Sequence, residues 1–273
     1  ARQFPTMLRS VREEHQLFLN LSRQLRLDAV ISDQRFGIRA DGLPSVIVTH
    51  QLYPFTPLAQ GLLRRINSRH IARFDLCWIP DNEESPGLAG ALAHGTHMPR
   101  NARFIGPLSR MDPARAIMPD KNYRIVCVIS GPEPQRSILE RELMRLLPAI
   151  PGEHLIVRGM PGPVPDERRG HVRSIGHLAD DALTGALLGA DLIVGRTGYS
   201  TVMDLERIGR TALLVPTPGQ PEQEYLGRLH KDNGRFIVQV QGELDIAAAL
   251  ESRVAGTRIP TTRDSGERQL DVA

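Results

Sequence analysis

The chain has 273 residues, which suits two domains of ordinary size, and with 41% apolar and 24% charged residues it can bury real cores. Lys plus Arg number 34 against 31 Asp plus Glu, a formal net charge of +3. With no RNP motif, zinc finger or Lys/Arg block beside it, that balance excludes a dedicated nucleic-acid binder.

No apolar run approaches the length of a membrane span, and no signal-peptide pattern opens the chain. Cys77 and Cys127 lie far apart in the apolar runs DLCWIP and RIVCVIS, so both read as buried thiols of a reducing compartment. A cytoplasmic protein is expected.

Leu8, Val11, His15, Leu17, Phe18, Leu21 and Leu25 recur at helical spacing and predict one amphipathic helix. The chain enters it with no preceding strand, so an upstream segment is expected. DAVISD and LPSVIVTHQ, separated by the turn chemistry of GIRADG, read as neighbouring buried parallel strands. PLAQGLLRRINSRHIA reads as a helix, FDLCWIP as a strand, and ARFIGPL as the strand that leaves this half. Residues 109–121 (SRMDPARAIMPDK) are polar, carry two prolines and show no period, so they are expected to link two domains.

The second half alternates cleanly. Strands are predicted at RIVCVIS, HLIVRG, VRSIGHL, DLIVG, TALLVP and FIVQV. Helices are predicted at PEPQRSILERELMRLL, DDALTGALLGA, GYSTVMDLERIG, PEQEYLGRLHKDNG and ELDIAAALESRV. Alternation of this kind argues for a parallel sheet covered on both faces, an α/β architecture. The domains are placed at 1–108 and 122–256, with a polar tail over 257–273.

Ligands of an open parallel sheet bind outside the carboxyl ends of its strands. The richest such place is DLIVGRTGYSTVMDLERIG. Gly195 and Gly198 permit a tight turn and close backbone approach, and Thr197, Ser200 and Thr201 supply hydroxyls. Helix-start amides there would face an anion. Asp204, one turn beyond Ser200, is placed to accept from a diol such as ribose. A tight turn with a Ser/Thr cap fits the same residues equally well. In the next loop, Gln223 carries a carboxamide able both to donate to and to accept from sugar hydroxyls. Ser130, Gly131 and Gln135 are candidates for holding phosphate, and Arg158 and Arg196 are candidate partners of its charge. Arg136 reads as either a phosphate contact or a surface charge.

These residues resemble a known family. GRTGYSTVMDLERIGRTALLVPTPGQPEQEYLGRL is similar to the donor-site signature of glycosyltransferase family 28, most specifically over residues 176–230. ISDQRFG, VTHQLYPFTP, WIPDNEESPGLAGALAH and FIGPLSR are similar to a bacterial group of family 28-like transferases. The resemblance implies a GT-B-like fold of two Rossmann-like domains, the first lacking its opening strand and loop. It also implies transfer of a hexose or N-acetylhexosamine from a UDP-sugar to a glycan or lipid-linked acceptor, with no bound metal or cofactor.

By that match Gly198, Ser200 and Thr201 would line the diphosphate and Asp204, where the family more often has Glu, would hold ribose. Gln223 and Glu224 would meet the sugar, and main-chain groups of His177 and Leu178 would meet the base. Peripheral contact with the inner face of a membrane is a further expectation. For the acceptor base, His50 and Asp33 are the candidates, each with a plainer alternative as a structural histidine and a turn-former. His94 and His97 form an H-x-x-H without a convincing third ligand, so a loop is favoured over a metal site. A nucleotide-sugar 2-epimerase and a non-catalytic donor-binding subunit stay open as alternatives.

Overall fold

A computed structural model describes residues 3–55 and 60–255 and divides the chain into two compact units, residues 1–108 and 109–273. The tail expected over 257–273 lies outside the described residues.

The first unit begins with α1 (Gln3–Leu25), followed by β1 (Val30–Asp33), β2 (Ser45–Val48), α2 (Gln60–Ile71), β3 (Leu76–Ile79) and β4 (Ala102–Phe104). The four strands pair in chain order and all run parallel. Ile47, Cys77, Ile79 and Ala102 are fully buried with Ile71, and Phe74 is buried beside them, while Ile31 and Leu76 stay exposed.

The apolar stripe predicted on α1 divides between two faces of the helix. Phe18 is buried, whereas Leu17, Leu21 and Leu25 are exposed. A step of one residue turns the side chain by about 100°, so the Leu17 row cannot share the face that Phe18 presents to the core.

In the second unit the strands are β5 (Ile125–Val128), β6 (His154–Val157), β7 (Glu167–Arg169), β8 (Val172–Ile175), β9 (Leu192–Gly195), β10 (Leu213–Leu214) and β11 (Ile237–Val238). The helices are α3 (Gln135–Leu146), α4 (Asp180–Gly189), α5 (Tyr199–Arg207), α6 (Pro221–Asp232) and α7 (Ile246–Ala255). The sheet order is β11-β10-β9-β5-β6-β8-β7, parallel throughout except for the antiparallel edge pair β7–β8. Ile125, Cys127, Leu139, Leu143, Ile156 and Leu192 are among the fully buried residues of its core.

β7 is absent from the sequence-based expectation, since ERR has no apolar residue and all three side chains are exposed. It is a charged edge strand, with Arg168 paired to Glu153 and the neighbouring Arg173 to Asp166.

Residues 109–121, expected as a linker, lie along α4 and α5 within the second unit. Arg110 pairs with Asp180 at 3.0 Å and Arg115 with Asp181 at 3.1 Å, while Ile117 donates its amide to the Asp181 carbonyl. The approach is possible because α4 presents a glycine. A Cβ on Gly185 would sit 1.9 Å from the Ile117 carbonyl oxygen, a backbone atom that cannot rotate away. Gly185→Ala is therefore expected to detach this segment and destabilise the unit by about 2 kcal/mol. Limited trypsinolysis checks it: cleavage at Arg115 and Lys121 should accelerate in the variant, and an unchanged rate would contradict the packing argument.

Candidate functional site

The second sheet has a topological switch. From β5 the chain moves outward through β6 to β8 on one side, then returns through α4 to β9 on the other. β5 and β9 end level, with Val128 opposite Gly195, and Gly195 is level with Leu214 of β10. Three loops consequently leave the carboxyl edge side by side, beginning at Ile129, Arg196 and Val215. A crevice at such an edge is where an open α/β sheet binds its ligand.

The β9 loop is short and leads straight into α5. Gly198 occupies the N-cap in an extended conformation (φ −69°, ψ 143°), and no side chain caps the helix. The Ser/Thr cap that would explain the hydroxyls structurally is thus not formed. Ser200 is exposed and Thr201 half-buried beside these first-turn amides, which lack intrahelical acceptors and form the positive end of the helix dipole. Across the edge, Ser130 and Gly131 are both exposed, and Gly131 has φ +101°, a conformation that favours glycine. Among the described residues, only Thr217 Oγ1, at 4.0 Å, lies within reach of a Cβ placed there. That hydroxyl is buried and has no hydrogen-bond partner among the described residues, and the sequence reading does not single it out.

Asp204 stands one turn beyond Ser200 and is half-buried. Its Oδ1 accepts from the Ser109 hydroxyl at 2.6 Å, while Oδ2 has no partner among the described residues. Burial raises its carboxyl above the usual aspartate range and Asp180 adds to this; the Ser109 hydrogen bond and Arg110 oppose it. His177 is exposed and Leu178 half-buried beyond the end of β8.

Several expected contacts are spent on the fold instead. The sequence reading puts Arg196 beside a ligand phosphate, but its side chain is fully buried. Its guanidinium donates to the carbonyls of Gln135, Val215 and Pro216 and to Gln241 Oε1, which corrects that expectation. Burial lowers its pKa to about 10, which leaves it charged at neutral pH. Arg158 is also buried, donating to the Pro165 carbonyl and to Glu167. Arg136 is paired with Glu133 and Glu140 and is not a free surface charge.

Thr197 donates to the Gln223 carbonyl, so its hydroxyl anchors α6. Gln223 accepts from the Thr217 amide at 2.9 Å and donates to Gln220 Oε1, and Glu224 accepts from the Gly219 amide at 2.9 Å. Both side chains shape the loop between β10 and α6, and contact with a sugar would require them to exchange these bonds.

In the first unit, Asp33 and His50 leave the carboxyl edge from adjacent strands, Asp33 being level with Val48. Asp33 is exposed and His50 is buried, its Nδ1 lying 3.2 Å from Gln34 Nε2. Gln34 itself has φ +54°, an uncommon conformation for a non-glycine residue at a strand end. That backbone feature has no signature in the sequence.

His94 lies 3.4 Å from the buried Asp81 and stacks on Phe104. Asp81 also accepts from the amides of Asn82, Leu88 and Ala89, so the pair organises its loop. Among the described residues, no cluster of three or more His, Cys, Asp or Glu is placed to hold a metal ion. No helix among them is long and apolar enough to cross a membrane.

No protein-family model matches the chain. A 64-residue segment, 23% of this chain, is 39% identical to the UDP-N-acetylglucosamine--N-acetylmuramyl-(pentapeptide) pyrophosphoryl-undecaprenol N-acetylglucosamine transferase of Methylorubrum extorquens strain PA1, and the match spans 16% of that relative. The enzyme of the same name from Methylorubrum populi matches equally.

Among solved structures, the glycotransferase of kitacinnamycin superposes over 93% of this chain and 74% of its own, with TM-score 0.65 at 12% identity. The spinosyn rhamnosyltransferase SpnG complexed with thymidine diphosphate gives 0.60 at 15% identity, covering 92% of this chain and 71% of its own. MurG of Acinetobacter baumannii gives 0.51 at 14% identity, covering 92% and 70%. The chain thus has the GT-B fold of these structures, and over 64 residues its sequence is similar to these N-acetylglucosamine transferases.

Proposed function

We propose that this chain is the donor-binding and greater part of a glycosyltransferase that moves a hexose or N-acetylhexosamine from a UDP-sugar to an acceptor hydroxyl. The observation that carries the reading is the uncapped start of α5 at the switch point, with Gly198 at the turn and Asp204 one turn inward. In this reading the first-turn amides and the hydroxyls of Ser200 and Thr201 stabilise the negative charge that grows on the diphosphate as the anomeric C–O bond breaks. The free oxygen of Asp204 accepts from the ribose diol, and main chain at His177 and Leu178 faces the base. The acceptor oxygen attacks the anomeric carbon and loses its proton to a base. His50 and Asp33, on neighbouring strand ends of the first unit, are the candidates among the described residues.

Uridine as the donor nucleotide is supported by the relatives that share the 64-residue segment, whose names specify UDP-N-acetylglucosamine. A thymidine donor has its own support in the rhamnosyltransferase complexed with thymidine diphosphate. A glycan or lipid-linked acceptor is proposed from the same relatives, whose names specify a pyrophosphoryl-undecaprenol acceptor.

Calorimetric titration with UDP, dTDP, GDP and CDP tests the donor assignment. Saturable binding at micromolar concentrations, tightest for UDP, is the expected result. Preference for dTDP would move the reading to deoxythymidine donors, and silence of all four would overturn it.

A further inference from the structure

We infer that Ser109 is a positioning residue for the nucleotide, acting through Asp204; this rests on the donor reading above. The direction of the hydrogen bond is settled by local geometry. Ser109 Oγ accepts the Met111 amide at 3.0 Å, which orients the hydroxyl, and its single proton goes to Asp204 Oδ1 at 2.6 Å. One carboxylate oxygen is thereby fixed, and Oδ2 is left for a ligand. An aspartate is one methylene shorter than a glutamate, so its reach depends on the rotamer in which it is held. Ser109 supplies that hold from a segment 95 residues away in the chain.

The hydroxyl also has an electrostatic role. Asp204 lies on α5 and meets residues 109–121 through Ser109, and the charged groups acting on it are mixed. Arg110 favours its ionised form and Asp180 opposes it, although these two also pair with each other at 3.0 Å. The same helices and segment also carry the Arg207–Asp112 pair, 4.0 Å between its charged atoms, and the Arg115–Asp181 pair, 3.1 Å. Against this near-balanced background, a short hydrogen bond donated to the carboxylate favours the charged state that accepts from a diol. Ser109 is also the first residue of the second unit, so the junction segment itself supplies part of the nucleotide site.

The test is calorimetric titration with UDP, or dTDP if only that binds, across a pH series on wild type, Ser109→Ala, Ser109→Thr, Asp204→Asn and the double variant Ser109→Ala/Asp204→Asn. Ser109→Ala should weaken binding about tenfold at neutral pH, the scale of one charge-assisted hydrogen bond. It should also move the acid-side loss of affinity to higher pH, and Ser109→Thr should restore both. In the Asp204→Asn background the alanine change should have no further effect. Wild-type affinity and pH profile in Ser109→Ala would overturn the inference while leaving the donor reading intact. An equal loss in the Asp204→Asn background would also overturn it, by showing a merely structural role. Absence of nucleotide binding by wild type would overturn the donor reading and this inference together.

Discussion

Replacing Arg196 with methionine is expected to destabilise the second unit by about 3 kcal/mol. The methionine stem keeps most of the volume, so the loss is polar. Three main-chain carbonyls, those of Gln135, Val215 and Pro216, lose a charged donor inside the protein, and Gln241 loses its 2.6 Å partner. Gln241 also donates to Gln135 Oε1 at 2.8 Å, so removing the guanidinium loosens a network that ties the start of α3 to the β10 and β11 loops. The nearby Glu142 accepts the amides of Gly242 and Leu244, and it would keep its own bonds but lose a favourable charge. Chemical denaturation checks this. The midpoint should fall with the slope unchanged, and a midpoint within error of wild type would show that the buried guanidinium is energetically neutral.

Asp204→Ala should weaken nucleotide binding by about thirty- to a hundred-and-fifty-fold while leaving the fold in place. A carboxylate that accepts from a diol contributes on the order of 2–3 kcal/mol, since hydrogen bonds to charged groups are the strong ones. The fold should tolerate the change because burial raises the Asp204 carboxyl above the usual range. A group whose folded pKa is raised adds stability only in its protonated form. That stability is present at low pH and lost as pH rises through the folded value. At neutral pH the charged carboxylate therefore costs stability, and its removal should leave the melting temperature equal or slightly higher, apart from the lost Ser109 bond. The same sign predicts that wild-type affinity for UDP falls off on acidification at a pH above the ordinary aspartate range. Titration and melting curves on one preparation separate the two effects. A variant that binds normally would remove Asp204 from the site, and one that melts far lower would make it a structural residue.

The fold was legible because its signals are local. Short apolar runs such as IVCV and LIV, bounded by turn residues and alternating with helical periods, read as strands covered on both faces, and Gly209 and Gly234 mark the ends of the helices before them. β7 was not legible, because a charged edge strand is defined by its neighbour β8 and not by its own composition. At the site, the glycine turn and Asp204 could be read from spacing alone. The partners of long side chains could not. Arg196 follows a strand end exactly as a ligand-facing arginine would, and only the positions of α3 and the 239–245 loop turn it inward. Ser109 and Asp204 meet because residues 109–121 fold back over α4 and α5, a contact set by Gly185 and invisible in either segment.

The two cysteines provide each unit with its own reporter. Cys77 lies in β3 and Cys127 in β5, both fully buried, and burial pushes the Cys77 thiol up to about 12 and Cys127 higher still. Neither thiol is nucleophilic or reachable while its sheet is closed. A thiol-reactive dye added to the native protein therefore modifies each cysteine only when the surrounding sheet opens, and peptide mapping of the label times the two openings separately, without any engineered probe.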